Sequence, residues 1–272
     1  MMDGNVIASL QNPRVKAVVA LQQKSAERRK RGLMVVEGVR ELLHCMEGGF
    51  EVERLYFCPS LCADREEWTR CMEAVPADRR VEVTEAVYAK MAYRGGTEGM
   101  VAEVKVRLCG LDDLTLGDAP LIVVLEGVEK PGNLGAVLRS ADAAGVDAVV
   151  VCDPRTDLFN PNLIRSSIGA VFTVPCVACT SGECIDFLKG RGIRILTAQL
   201  QDSRFYYDTD MRGGTAIVMG TEATGLTEQW RRVADAHIKI PMLGRLDSLN
   251  VSVSAAILLF EAVRQRQTKH HG

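Results

Sequence analysis

The sequence predicts an α/β protein, because short apolar strands alternate with helices along most of the chain. Runs such as 121–125 are apolar throughout, which is typical of a strand buried on both faces, and helical segments such as 132–145 follow at short intervals. The alternation weakens once and then resumes more strongly. We therefore predict two α/β domains, at 1–107 and 120–272, joined by a linker at 108–119.

The predicted elements of the first half are bounded by clear caps and stops. A basic helix over 13–31 ends at Gly32, because glycine readily adopts the left-handed backbone that closes a helix. Thr84 is placed to cap a later helix with its hydroxyl. The other elements predicted in this half are strand 33–38, helix 39–49, strand 52–59, helix 60–74, strand 81–84, helix 84–92 and strand 99–106.

The second half continues the alternation with more apolar strands. Asn160 is the expected cap of a short helix over 160–170, with Pro161 in its first turn. A final helix from 251 to 264 is apolar almost all round, so it must be buried on more than one side. The strands predicted here are 121–127, 147–153, 172–177, 194–200, 215–220 and 236–240, with helices at 132–145 and 227–236.

Composition excludes several classes of protein. The chain has 272 residues, 47% of them apolar and 25% charged, which suits a folded core rather than a disordered segment. Its apolar runs are too short to cross a bilayer, and no signal-peptide pattern begins the chain. We therefore expect a cytoplasmic protein with no membrane contact, whose nine irregularly spaced cysteines are reduced.

Motifs for metal, dinucleotide and hydrolase sites are incomplete. Cys176 and Cys179 form a C-x-x-C with Cys184 nearby, but no second pair or paired histidines completes a zinc site. We expect structural thiols and no metal. Gly132 and Gly135 have the wrong spacing for a dinucleotide-binding turn, and no G-x-S-x-G motif marks a serine hydrolase.

Basic residues are concentrated near the N-terminus of a chain whose net charge is only −2. Between 11 and 32, seven basic side chains stand against the single acid Glu27, which gives the segment a charge of +6. Such a patch indicates contact with nucleic-acid phosphates, while the alternative is a solvated helix face. The candidate RNA contacts in this segment are Arg14, Lys16, Arg28, Arg29, Lys30 and Arg31.

Two further stretches have the residues of a ligand site. Gly220 ends a strand and permits close backbone approach, and Glu222 follows it in the turn at the strand tip. Farther on, Ser248 and Asn250 can cap the final helix and hydrogen-bond a ligand. A glycine-rich turn follows strand 121–127 and opens the helix 132–145, which carries Asn133 and Arg139. For an arginine alone on a helix, the ordinary alternative is a surface salt bridge.

Three of these stretches together resemble the sequence motifs of the SpoU/TrmH family of RNA ribose 2′-O-methyltransferases, within the SPOUT superfamily. The motifs lie at 126–141, 218–226 and 240–256, in the family's order and spacing. The segment 165–170 also fits the family's pattern. The first half resembles the family's N-terminal substrate-binding domain at 12–16, 35–42 and 87–92.

The resemblance implies a fold and partners that the patterning does not show. The C-terminal domain is expected to be an α/β domain tied in a trefoil knot, and the N-terminal domain a smaller, ribosomal-protein-like module that grips RNA. The cofactor would be S-adenosylmethionine. A homodimer would pack through the last helix.

The resemblance also implies residue roles. Arg139 would be the catalytic arginine, supported by Asn133, with Glu222 beside it. Ser248 and Asn250 would orient these groups, and Arg165 would contact RNA phosphate. The implied cofactor-binding positions are Thr197, Ala198, Gln199, Gly220, Glu222, Ile240, Met242, Ser248 and Leu249.

Two alternatives stay open at this point. The substrate could be tRNA, although a separate N-terminal domain of this size is more typical of the ribosomal-RNA branch. The chain could also be a non-catalytic RNA-binding protein that kept the fold, against which the intact Arg139, Glu222 and Asn250 argue.

Overall fold

The structure, a computed structural model, describes residues 6–62, 65–93, 98–221, 224–245 and 248–267. It divides into two compact units. The first comprises Met1–Arg107 and Asp157–Thr173, and the second comprises Leu108–Thr156 and Val174–Gly272. The segment 157–173 of the predicted catalytic domain is thus grouped with the first unit, while the predicted domain boundaries themselves stay a prediction.

Helices and strands alternate throughout the described chain, which confirms the α/β class. The strands are β1 Leu33–Glu37, β2 Val52–Phe57, β3 Arg80–Glu82, β4 Met100–Lys105, β5 Leu121–Glu126, β6 Ala148–Cys152, β7 Cys176–Cys179, β8 Arg194–Ala198, β9 Arg204–Phe205, β10 Thr215–Met219 and β11 Ala236–Lys239. The helices are α1 Pro13–Gln23, α2 Ser25–Arg31, α3 Val39–Glu47, α4 Arg65–Ala74, α5 Glu85–Met91, α6 Pro131–Ala143, α7 Pro161–Ser166, α8 Ala170–Thr173, α9 Ser181–Gly190, α10 Glu228–Val233 and α11 Val251–Gln267.

The first unit is built on a mixed four-stranded sheet in the order β1-β4-β2-β3. Strand β4 pairs antiparallel with β1 and β2, whereas β2 and β3 are parallel. The apolar face of α1, with Val15, Val18 and Leu21 fully buried, packs into the same cluster as Tyr56 and Val101 of the sheet. Burying this face of α1 leaves its charged residues outward.

The single helix predicted over 13–31 is wrong, because the chain breaks at Lys24. This residue is extended (φ −124°, ψ 112°), and a second helix, α2, begins at the next position. The break lets Arg28 of α2 turn back, so that its Nη1 donates to the carbonyls of Leu21 and Gln22 at 2.5 and 3.1 Å. Those carbonyls end α1 and would otherwise have no helical partner.

The strand predicted over 172–177 is also wrong. Residues 170–173 form α8, and β7 begins only at Cys176. Phe172 is buried against Phe50 in an edge-to-face contact with 5.1 Å between ring centroids. The backbone N–H of Val171 donates to Ser167 Oγ at 3.4 Å. These contacts stabilise the helical turn, and apolar character alone does not distinguish such a turn from a strand.

The second unit contains a seven-stranded sheet in the order β7-β6-β5-β10-β8-β11-β9, with every pair of neighbours parallel. On one side of the sheet, strand and helix side chains form a core cluster that includes Ile122, Val150, Ile195, Val218 and Trp230, and the alternate strand residues such as Val123, Val149 and Ile217 are buried as well. Burial on both faces explains why these strands are apolar at successive positions. Strand β10 follows β8 in sequence yet lies between β5 and β8. The trefoil knot stays a prediction.

None of the helices in the described parts of the chain combines the length and the apolar character that crossing a membrane requires.

Arg266 fastens α11 to the start of two central strands. Its guanidinium donates to four backbone carbonyls at 2.8–3.2 Å, those of Ala119, Pro120, Met211 and Gly213. Desolvation lowers the pKa of Arg266, although an arginine keeps its charge. We expect Arg266→Ala to lower the free energy of unfolding by about 1–3 kcal/mol, because these carbonyls lose charged donors.

Urea denaturation of the two proteins measures this difference. The control is Arg232→Ala on α10, whose guanidinium pairs with the exposed Glu228 at 3.2 Å. It is expected to change stability by less than about 0.5 kcal/mol. Equal losses in the two variants would show that Arg266 has no anchoring role.

Candidate active site

Three neighbouring strands bring the predicted cofactor positions to one edge of the sheet. In the parallel ladder, Thr197 of β8 aligns with Val218 of β10 and with His237 of β11. The chain therefore leaves β8 at Gln199, β10 at Gly220 and β11 at Ile240 side by side. In open parallel sheets the carboxyl ends of the strands are where ligands bind.

The turn after β10 depends on glycine. A Cβ on Gly220 would lie 2.3 Å from the carbonyl carbon and oxygen of Gly225, so only glycine fits at this position. Gly225 itself has φ +66°, and its N–H donates to the Thr221 carbonyl at 3.0 Å. The backbone segments at Gly220 and Gly225 therefore lie close together at the end of β10. Glu222, predicted at this tip, lies outside the described residues.

The side-chain oxygen of Gln199 has no hydrogen-bond donor among the described residues. The Nε2 of Gln199 donates to the Gln201 carbonyl at 2.9 Å, whereas its Oε1 is buried without a hydrogen-bond partner. Buried acceptors nearly always have donors. The oxygen is therefore suited to an N–H of a bound ligand. Ile240 and Met242, on the neighbouring strand end, are half-buried and add apolar surface.

A buried hydrogen bond joins β8 to β11 beneath this edge. Thr197, which is fully buried, has its Oγ1 2.6 Å from His237 Nδ1. The sequence pattern predicts that His237 lies in a strand, but it does not predict this hydrogen bond. The bond fixes two of the strands that carry the predicted cofactor positions.

The first and third motifs meet through two asparagines. Asn250 Nδ2 donates to Asn133 Oδ1 at 3.3 Å, across 117 residues of sequence. Asn250 also caps α11, because its Oδ1 accepts from the N–H and the hydroxyl of Ser252 at 3.0 and 2.6 Å. Ser248 and Leu249 precede this cap and are exposed. The sequence-predicted capping role of Asn250 is confirmed, and the asparagine pair joins α6 to the start of α11.

Arg139 projects from α6 with an exposed side chain. No hydrogen bond or ion pair joins it to any residue that the structure describes. The surface salt bridge considered as its ordinary role is therefore missing from the described part of the chain. Its guanidinium keeps its planar set of donors for an external anion.

A buried carboxylate was not singled out from the sequence. Glu126 ends β5 with 4% of its surface exposed, and it accepts from the N–H and hydroxyl of Thr227 at 2.8 and 2.6 Å. Thr227 starts α10, directly after the second motif. Glu126 therefore anchors the segment following that motif to the first motif. The sequence feature that could have identified Glu126 is an acidic residue at the end of an otherwise apolar strand.

The predicted RNA contacts divide into exposed and structural cations. Arg14, Lys16, Arg29 and Lys30 are exposed on α1 and α2. The prediction that Arg28 contacts RNA is wrong. Arg28 is 3% exposed, and its Nε donates to Asp157 Oδ2 at 2.6 Å. With its donors used inside the first unit, it is unavailable to RNA.

Arg31 and Arg165 are also exposed. Arg31 Nη2 donates to Oε1 of the buried Glu103 at 3.3 Å, so its charge is partly neutralised. Arg165 lies on α7. Of the seven predicted contacts, six are therefore accessible to a polyanion, and only Arg28 is not.

Comparison with known proteins identifies relatives over both halves of the chain. The SpoU rRNA Methylase family matches residues 120–260, and the MRM3-like substrate binding domain matches residues 12–102. The 23S rRNA (guanosine-2'-O-)-methyltransferase RlmB of Pseudomonas putida is 38% identical over 205 residues, which cover 72% of this chain and 83% of that protein. The 23S rRNA (guanosine(2553)-2'-O)-methyltransferase RlmP of Bacillus subtilis is 28% identical over 93% of this chain and 97% of its own.

Solved structures agree over nearly the whole chain. A crystal structure of an RNA 2'-O ribose methyltransferase has a TM-score of 0.84 and 37% identity, covering 96% of this chain and 99% of that one. The AdoMet-bound rRNA methyltransferase from Sinorhizobium meliloti has a TM-score of 0.86 and 28% identity, covering 95% and 97%. These matches confirm the predicted family: the chain belongs to the SpoU rRNA methylase family.

Proposed function

We propose that this protein is an S-adenosylmethionine-dependent enzyme that methylates a ribose 2′-hydroxyl of 23S ribosomal RNA. The observation that carries the proposal is the Asn250–Asn133 hydrogen bond, which joins the first and third motifs in a chain whose relatives are named for this activity. A ribosomal RNA substrate also fits the cytoplasmic location expected from the sequence.

The residues at the strand ends fit S-adenosylmethionine. Gly220 exposes backbone at the strand tip, and the buried Oε1 of Gln199 suits an N–H donor of the cofactor. Ile240, Met242 and Leu249 offer apolar surface. Thr197, Ala198 and Ser248 complete the proposed set, together with Glu222. When bound, S-adenosylmethionine supplies a methyl group that its positive sulfonium activates toward a nucleophile.

The proposed role of Arg139 follows from its charge and exposure. A ribose hydroxyl is a weak nucleophile near neutral pH, so its proton must pass to an acceptor as the oxygen attacks, and negative charge develops on the oxygen as that proton leaves. The Arg139 guanidinium would stabilise this charge while holding a neighbouring phosphate. Asn133 would support it, and Asn250 fixes Asn133 from α11. Most of the acceleration would come from alignment of two bound reactants.

Methyl transfer from radiolabelled S-adenosylmethionine to purified RNAs tests the function. The expected result is label in 23S rRNA at a ribose 2′-oxygen, recognised as an alkali-resistant dinucleotide, with none in tRNA. Label in tRNA alone would favour the tRNA alternative. RNA binding without label, and without cofactor affinity in calorimetry, would favour the non-catalytic alternative.

We propose that α1, α2 and Arg165 form part of the RNA-binding surface. Changing both Arg29 and Lys30 to alanine is expected to weaken RNA binding and to reduce the slope of log affinity against log salt by about 1.4–1.8, since each phosphate contact contributes about 0.7–0.9. Filter binding at several salt concentrations measures the slope. The control Arg70→Ala removes an exposed cation that is paired with Glu47 at 3.4 Å, and its slope should be unchanged.

We propose that two copies associate through α11. Val253 and Phe260 are 46% and 48% exposed, and they lie two turns apart on one face of the helix. Such an apolar stripe is suited to a subunit interface. Phe260→Asp is expected to convert a dimer to a monomer in sedimentation velocity, because it buries a carboxylate at the interface. The control Phe205→Asp changes an exposed phenylalanine on β9, and a monomer from both variants would contradict the assignment to α11.

A further inference from the structure

Three cysteine sulfurs converge in the second unit. The Sγ atoms of Cys152, Cys179 and Cys184 all lie within 4.8 Å of one another. The sequence pattern drew attention to Cys176 and Cys179, but β6 instead brings in Cys152. That residue pairs in register with Cys179 on the neighbouring parallel strand. The convergence therefore depends on strand pairing, which the C-x-x-C spacing does not reveal.

Regular backbone holds the three sulfurs in place. Cys152 closes β6, Cys179 closes β7, and Cys184 lies in α9. The N–H of Asp153 donates to the Cys179 carbonyl at 2.9 Å, which continues the ladder past the strand end. Thr180 and Glu183 form a capping box at the start of α9. Such a frame resists rearrangement when a ligand binds.

Burial and chemistry suit a soft cation. Cys152 and Cys184 are fully buried, whereas Cys179 is half-buried and leaves one side of the cluster accessible. Thiolates bind zinc at about 2.3 Å, so three thiolates around one ion stand about 4 Å apart. This spacing is compatible with the observed cluster. The surrounding side chains belong to the apolar core, which favours soft sulfur ligation over hard oxygen ligation.

We propose that Cys152, Cys179 and Cys184 form a binding site for one thiophilic metal cation, of which Zn²⁺ is the probe. This proposal differs from the expectation of no metal drawn from the sequence. Binding would displace protons from the thiols, so it is expected to release protons and to strengthen with rising pH.

The site is linked to the segment after the second motif. Next to Cys152, Asp153 Oδ2 accepts from Ser181 Oγ at 2.6 Å, and Ser181 Oγ accepts from Trp230 Nε1 at 3.0 Å. Trp230 lies on α10, whose start is held by Glu126. Metal binding is therefore expected to stabilise this part of the second unit. The inference does not depend on the proposed function.

Metal titration of the full-length, reduced protein tests the site. Co²⁺ is expected to bind at one equivalent with a sulfur-to-cobalt charge-transfer band in the near ultraviolet, to be displaced by Zn²⁺, and to raise the melting temperature. Cys179→Ala should lower Zn²⁺ affinity by at least about 100-fold, beyond the 10–100-fold that loss of an outer-shell partner costs. Cys176→Ala, at the other end of the same strand, should keep the affinity of the unaltered protein.

Several outcomes would overturn the proposal. They are binding without the charge-transfer band, no binding after full reduction, unchanged affinity in Cys179→Ala, or an equal loss in Cys176→Ala. Cys179 is the least buried of the three, so its variant is the one expected to fold normally. Circular dichroism of the metal-free variants checks this, and Cys179→Ser gives a second variant of nearly the same size.

Discussion

Replacing Arg139 with alanine is expected to lower the rate of methyl transfer by roughly 10²–10³-fold, the usual cost of removing one donor to a developing oxyanion. The reason is that its exposed guanidinium, without a partner among the described residues, is assigned to the attacking oxygen and its phosphate. Affinity for S-adenosylmethionine should stay within about twofold, because the proposed cofactor contacts come from other elements. Single-turnover rates and calorimetry measure the two quantities separately.

Two further variants sharpen this test. Arg139→Lys keeps the charge but loses the planar fork of donors, so only partial activity is expected. Arg191→Ala removes another arginine of the second unit, whose guanidinium carbon lies 4.7 Å from the centroid of the Phe187 ring. Arg191 is remote in sequence from the motifs, so its loss should leave the rate unchanged. Near-normal turnover in Arg139→Ala would remove this residue from the mechanism.

Replacing Gly220 with alanine is expected to weaken S-adenosylmethionine binding by about 10- to 100-fold. The new Cβ would lie 2.3 Å from the Gly225 carbonyl group and 2.5 Å from the Leu226 nitrogen, so the turn after β10 must shift. Forcing extra atoms into a packed site typically costs about 1–3 kcal/mol. Calorimetric titration with S-adenosylmethionine gives the affinity directly.

The matched control for this change lies at the other end of the same strand. Gly213 precedes β10, and a Cβ there meets no atom within 4 Å. Gly213→Ala should therefore bind the cofactor like the unaltered protein. If Gly220→Ala also binds it normally, the turn after β10 is not part of the cofactor site.

Most strands of the seven-stranded sheet were predictable because each of these has a local sequence pattern of its own. Parallel strands buried on both faces must be apolar at successive positions, as 121–125 are. The break at Lys24 was not predictable in the same way. It depends on Arg28, whose guanidinium contacts Asp157, 129 residues away in sequence. Local helical character continues across the break, so only the tertiary structure explains it.

The candidate site was predictable residue by residue but not as an arrangement. The motifs identify Asn133 and Asn250, yet their contact requires α6 and α11 to pack together. The Glu126–Thr227 bond joins residues 101 positions apart. The cysteine cluster likewise depends on the register of β6 and β7. These long-range pairings are set by sheet order, which no local pattern contains.

Mapping ribose 2′-O-methyl groups across ribosomal RNA tests the proposed function most directly. Cells lacking this protein would be compared with cells that regain either the unaltered chain or Arg139→Ala at equal abundance. The predicted result is one 23S rRNA nucleotide that loses its methyl group, recovers it with the unaltered chain and does not recover it with Arg139→Ala. An identical methylation pattern in all strains would contradict the proposal.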